Sequence, residues 1–89
     1  MDWWGEGNRV ELAGSFNGWE HHVYLLPELS SEIPHADGSR GPMLWKVDLW
    51  LYPGVFEIKF IVDGKWQLDH RRETVHRHMG HNNLLRVEL

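Results

Sequence analysis

Cysteine is absent from the 89 residues. That excludes disulfides and thiolate-held metal, so packing and hydrogen bonding must hold the fold unaided. Positive charge is also scarce: nine Lys and Arg stand against thirteen Asp and Glu, for a formal net charge of −4. Nucleic-acid phosphates need a basic face and an anionic bilayer needs a basic patch, so no nucleic-acid or membrane partner is expected. No apolar run approaches the roughly 18 residues needed to span a bilayer. Signal and transit peptides, a Gly-rich phosphate loop, a nucleophile elbow and a metalloprotease signature are all missing. So is an amphipathic helix of any length, because Gly and Pro recur too often and the apolar period is two. What remains is ordinary for a folded domain, with 42% hydrophobic and 25% charged residues. The length suits one small domain with one core, residues 1–89, read here as excised from a longer protein.

The period of two predicts strands at Arg9–Ala13, His22–Leu26, Met43–Leu51, Val55–Val62, Lys65–Leu68 and Asn83–Leu89. In the third, Trp45, Val47, Leu49 and Leu51 share one face, with Lys46, Asp48 and Trp50 on the other. In the fourth, Phe56, Ile58, Phe60 and Val62 turn inward, with Glu57, Lys59 and Ile61 outward. Tyr52-Pro53-Gly54-Val55 is a turn, and Asp63-Gly64 is a strong two-residue hairpin signal. Pro27 to Pro42, rich in Pro, Ser, Gly and acid, reads as a long loop. Short antiparallel strands at this spacing predict an all-β sandwich.

Six tryptophans are unusual in so short a chain. Trp45 belongs to the core by alternation, and one of Trp3 and Trp4 is expected to pack over one end of the sandwich. Trp50 points outward, to lie under the long loop, extend a binding face or meet a partner. Trp19 and Trp66 differ because each follows a tight turn, Asn17-Gly18 or Asp63-Gly64. A flat ring delivered there serves either as edge packing or as a platform for a flat, partly apolar ligand such as a sugar. The hairpin adds a companion. With Asp63-Gly64 as the loop, Ile61 lies opposite Trp66, and Lys59 shares the face of Ile61. Lys59 and Trp66 should therefore project together, a hydroxyl-binding ammonium beside a stacking ring.

Seven histidines suggest a metal, and His76-Arg77-His78 flanked by His70 and His81 is the densest cluster. Zinc needs three or four convergent ligands, and the interleaved Arg71, Arg72 and Arg77 repel a cation, so this stretch reads as a solvated polar connection with no metal and no cofactor. His21 and His22 either form a rim beside Trp19 or are merely exposed. A paired-acid glycosidase can be imagined from Asp63, Asp69 and Glu73, but it needs a deep, water-controlled cleft that so small a sandwich rarely supplies. No catalytic residues are assigned, and the chain is not expected to be an enzyme.

Three ordered runs, Val10–Trp19, Leu51–Trp66 and Gly80–Leu85, resemble carbohydrate-binding module family 48, which includes the glycogen-binding domain of the AMP-activated protein kinase β-subunit and plant plastid starch-binding modules. The likeness covers nearly the whole chain apart from the Pro27–Pro42 loop. It implies an immunoglobulin-like sandwich that binds α-1,4-glucan. By motif, Trp19 and Trp66 match the stacking pair, Lys59 the strand lysine, Asn82 the hydroxyl-bonding asparagine and Met79 the residue that props the sugar helix. The stretch before Asn82-Asn83 is one residue shorter than in the kinase version.

The expected function is thus a non-catalytic module that binds starch, glycogen or maltooligosaccharide and brings an attached protein to the polysaccharide. A shallow face of this kind implies a dissociation constant of roughly micromolar to millimolar. The alternative is a protein-interaction domain of the same fold with weak or no glucan binding, docking through Trp50 or its open edge strands. A plant starch protein would place it in the plastid, and any other parent in the cytoplasm.

Overall fold

The computed structural model describes residues 1–89 as nine antiparallel strands in two sheets. In chain order they are β1 (Asp2–Gly5), β2 (Val10–Gly14), β3 (Val23–Tyr24), β4 (Leu26–Glu28), β5 (Met43–Lys46), β6 (Gly54–Val62), β7 (Lys65–Gln67), β8 (Thr74–Arg77) and β9 (Gly80–Val87). The smaller sheet runs β1-β5-β4 and the larger β3-β2-β6-β9-β8, with β7 also paired to β6. The all-β sandwich read from the period of two is the architecture found.

One apolar cluster joins the sheets. Trp3, Met43 and Trp45 come from the smaller sheet, and Val10, Leu12, Ile58, Phe60 and Val62 from the larger. Trp3 meets Phe60 with ring centroids 4.9 Å apart. Of the inward set predicted for β6, Ile58, Phe60 and Val62 are buried in the core and Phe56 is only half-buried outside it, while Glu57 and Lys59 reach the other face. Ile61 also lies on that outer face, yet it is buried, with Glu11 and Trp66 as its cross-strand neighbours.

Several boundaries differ from the sequence reading. Asp2–Gly5 is a strand paired to β5, so Trp3 is a core residue rather than an end cover, while Trp4 points the other way and is half-buried. The expected His22–Leu26 strand is two strands in different sheets. The chain crosses over at buried Leu25, whose N–H donates to the Val10 carbonyl at 2.9 Å. Glu28, expected in the long loop, ends β4, and the rest of that loop is closed by the Ile33 N–H on the Pro42 carbonyl. β5 ends at Lys46, although Val47 still exchanges two backbone hydrogen bonds with Met1 and Val47, Leu49 and Leu51 keep their inward alternation. Trp50 does not pack under the loop: it is 95% exposed, beside an apolar groove of about 190 Å³ lined by Met1, Leu49, Leu51, Leu85 and Val87.

The polar stretch before the last strand is the largest correction. Thr74–Arg77 forms β8, joined to β9 by the two-residue turn His78-Met79, and β9 starts at Gly80 rather than Asn83. Periodicity misses so short and polar a strand. Its anchor is Asn83, fully buried: Asn83 Oδ1 accepts from the Asp69 N–H at 2.8 Å, and Nδ2 donates to the carbonyls of Asp69 (2.9 Å) and Glu73 (3.3 Å). Buried backbone groups in the β7–β8 connection have no water to turn to, so this side chain completes their bonding.

Asn83→Ala leaves those groups unpaired and is expected to cost about 2–4 kcal/mol, read as a lower denaturant midpoint at unchanged slope. A smaller acid sensitivity follows from the pair between Glu73, just before β8, and Arg86 of β9. The Arg86 hydrogen bond holds the Glu73 carboxyl below the usual glutamate range. A depressed carboxyl favours the fold above its unfolded value and loses that contribution as pH falls through the native one. Thermal midpoints between pH 5 and pH 2, measured on the parent and on Glu73→Gln, should show a shallower acid decline in the variant.

Candidate functional site

The outer face of the larger sheet is built around β6. Register places Ala13 of β2 opposite Lys59, Glu11 and Trp66 on either side of Ile61, and Leu84 of β9 opposite Glu57. Trp66 therefore shares a face with Lys59, as the hairpin argument predicts. The turn that makes this possible has φ values of 51° at Asp63 and 83° at Gly64. Asp63 holds it in place, its Oδ1 accepting from the N–H groups of Asn8 (2.8 Å) and Arg9 (2.9 Å). Trp66 is 51% exposed. His22 stands against it edge-on, with centroids 5.5 Å apart at 90°, and His22 in turn meets Glu11, which also pairs with Arg9.

Trp19 is delivered by a different device. After β2, Ser15–Asn17 makes one 3-10 turn, then Gly18 and Trp19 both take left-handed backbone at φ 69° and 64°. The Trp19 N–H returns to the Gly14 carbonyl at 2.9 Å, and Asn17 Nδ2 donates to the His21 carbonyl at 2.8 Å. Gly14 cannot carry a side chain, since a Cβ there would lie 2.6 Å from the Phe16 ring. Ser15 Oγ accepts from the Glu57 N–H at 3.0 Å, tying this loop to β6. Trp19 is 36% exposed.

Lys59 forms no ion pair, and its Nζ lies 3.9 Å from where a Cβ on Gly80 would sit. Gly80, at φ 140°, follows the His78-Met79 turn, and Met79 at the tip is 94% exposed. Two residues on, Asn82 occupies the same face of β9, and its Nδ2 donates to Glu57 Oε1 at 3.0 Å. Arg77 of β8 grips the same carboxylate with both Nε and Nη2. The bonds from Arg77 and then Asn82 hold the Glu57 carboxyl below the ordinary glutamate range.

The register thus puts Lys59, Trp66 and Asn82 on one outer face, with Met79 on the turn beside it and Trp19 on a loop bonded to its central strand. Sequence reasoning missed Glu57 and Arg77. Alternation already put Glu57 on the outer face, but Arg77 was hidden by reading β8 as a connection. His22, left open as rim or merely exposed, packs on Trp66. The remaining histidines do not converge: His76 and His81 face each other at 2.9 Å between Nδ1 atoms, and no group of three metal-ligating side chains gathers anywhere. The three acids weighed for catalysis are separately engaged, Asp63 with backbone N–H groups, Asp69 with Arg71 and Arg72, and Glu73 with Arg86. Grooves of about 450 and 360 Å³ lie between Trp4 and Asp69–Arg72, and one of about 430 Å³ lies between Leu26–Glu28 and Lys46–Asp48; none is lined by Trp19, Lys59, Trp66 or Asn82.

Several known proteins are similar to this chain in sequence. Protein PTST, chloroplastic, from Arabidopsis thaliana is 35% identical over 86 residues, covering 97% of this chain and 28% of that protein. Protein FLOURY ENDOSPERM 6, chloroplastic, from Oryza sativa subsp. japonica is 39% identical over 85 residues, covering 96% and 14% respectively. The SNF1 protein kinase subunit beta-3 of Saccharomyces cerevisiae is 33% identical over 80 residues, covering 90% and 17%. The chain thus spans less than a third of each of these relatives. The family model described as the glycogen recognition site of AMP-activated protein kinase matches residues 1–89 from end to end, and the chain belongs to that family of carbohydrate-binding modules.

Proposed function

We propose that this chain is a single non-catalytic module that binds α-1,4-linked glucan on the outer face of its larger sheet and brings an attached protein to starch or glycogen. The observation that carries the reading is the joint placement of Trp66, Lys59 and Asn82 on one exposed face. A pyranose ring has a C–H face that stacks on an indole and a rim of hydroxyls that accept from an ammonium and bond to an amide. Trp19 supplies the second stacking ring, and Met79 supports the ligand from the β8–β9 turn. Family membership and the chloroplastic relatives support the same reading, and they favour a plastid setting. The face is open rather than a cleft, which suits a targeting device that raises local concentration instead of a site that encloses a substrate.

A second reading is favoured by Trp50. Its bare ring and the apolar groove beside it suit contact with a protein partner or an attached domain, independently of the glucan face.

Trp19→Ala and Trp66→Ala should each weaken binding to β-cyclodextrin about tenfold or more, equivalent to about 1.4 kcal/mol per tenfold. Calorimetric titration and retention on amylose read the loss, and circular dichroism checks that the fold is kept. Both variants binding like the parent would show that the site lies elsewhere.

A further inference from the structure

We infer that Glu57 is a positioning residue of the glucan face: it fixes the Asn82 amide so that the oxygen of Asn82 stands as an acceptor beside the Lys59 donor, a pair suited to two neighbouring hydroxyls of one sugar ring. The inference rests on the glucan reading and deepens it.

An amide side chain has two donor hydrogens and one acceptor oxygen, and which end faces a ligand decides what it can recognise. Asn82 makes one side-chain bond within the protein, from Nδ2 to Glu57 Oε1 at 3.0 Å. An ionised carboxylate only accepts, so turning the amide over would set oxygen against oxygen. The bond therefore selects one orientation and leaves Oδ1 without a protein partner. Lys59, two residues along β6 from Glu57 on the same face, brings the donor: its Nζ rests over Gly80, two residues before Asn82 on β9. The paired groups thus come from adjacent strands at a spacing set by the sheet rather than by a loop.

Glu57 is itself held. Both Nε and Nη2 of Arg77 bond to its carboxylate, and its backbone N–H donates to Ser15 Oγ, at the start of the loop that carries Trp19. The charged groups near it are Arg77 from β8 and Lys59 from its own strand. Asn82 from β9 and Ser15 from the loop are neutral. One residue therefore connects β6, β8, β9 and the Trp19 loop. A simpler role is available, since a Glu–Arg pair across neighbouring strands stabilises a hairpin whatever the ligand. The two roles predict different behaviour from a glutamine.

Glu57→Gln keeps an oxygen for Asn82 but loses the charge pair with Arg77, whereas Glu57→Ala loses both. Maltoheptaose affinity by calorimetry, with nitrogen-15 spectra of the Asn82 side-chain amide in the free protein, separates the roles. Positioning requires Glu57→Ala to bind about tenfold more weakly, with the two Asn82 amide protons moving toward solvent-exposed values. It also requires Glu57→Gln to recover most of that loss and to keep the Asn82 signature. A second arm does not depend on the alanine variant folding. Asn82→Asp sets two carboxylates together and should bind about tenfold more weakly, and adding Glu57→Gln should restore binding by letting the Gln amide donate to the new acid. The inference is overturned if Glu57→Ala binds like the parent, if Glu57→Gln falls as far as Glu57→Ala, or if the double variant is no better than Asn82→Asp. A parent chain giving no saturable response to maltoheptaose overturns the glucan reading as well, a result distinct from undiminished binding in Glu57→Ala.

Discussion

Burial of Ile58, Phe60 and Val62 against Trp3, Met43 and Trp45 is the constraint on which the other features hang. Each of these side chains is worth roughly 1.5–3 kcal/mol removed from water. A one-residue slip of β6 would put all three outside and bring Glu57, Lys59 and Ile61 in. Taking a lysine and a glutamate out of water among these apolar side chains would cost several kcal/mol per charge, on the order of all that the three apolar residues supply. The register is therefore settled from the inside, and the outer face inherits it. β6 is also the strand with most neighbours, pairing with β2 along one edge and with β9 and then β7 along the other. Whatever stands on its outer face is held at the centre of the sheet.

The adjacent asparagines show how one strand can serve two surfaces. Asn83 points inward and completes the backbone bonding of the β7–β8 connection, while Asn82 points outward and meets Glu57. Consecutive residues of a strand face opposite ways, so two identical side chains in sequence acquire opposite tasks. Asn83 anchors the segment from which β8 rises, and β8 presents Arg77 to Glu57. The inner residue thus contributes to the outer face through the backbone it satisfies.

The strong alternations are legible in the sequence itself. β6, the Asp63-Gly64 turn and the pairing of Ile61 with Trp66 follow from period-two patterning and turn chemistry, so the shared face of Lys59 and Trp66 could be derived. Trp19 and Asn82 were joined to it by family resemblance, because no local rule relates a residue in β2's following loop to one in β9. What escaped was short or polar. β1 has four residues with tryptophans facing both ways, and β8 has two half-buried and two exposed residues, so neither carries a signal above that of a loop. The sheet switch at Leu25 was also hidden, since alternation within a strand says nothing about which sheet it joins. Side-chain bonds such as Glu57 to Asn82 depend on strand order, which periodicity does not encode.

The backbone at Trp19 has a consequence of its own. A left-handed conformation is free for glycine and costs a bulky residue about 1 kcal/mol or more, yet the residue there is the largest of the twenty, at φ 64°. Glycine at this position would relax the loop and remove the ring in the same stroke. On the glucan reading proposed above, stability and recognition pull this single site in opposite directions, a standing conformational cost set against an indole kept at the surface.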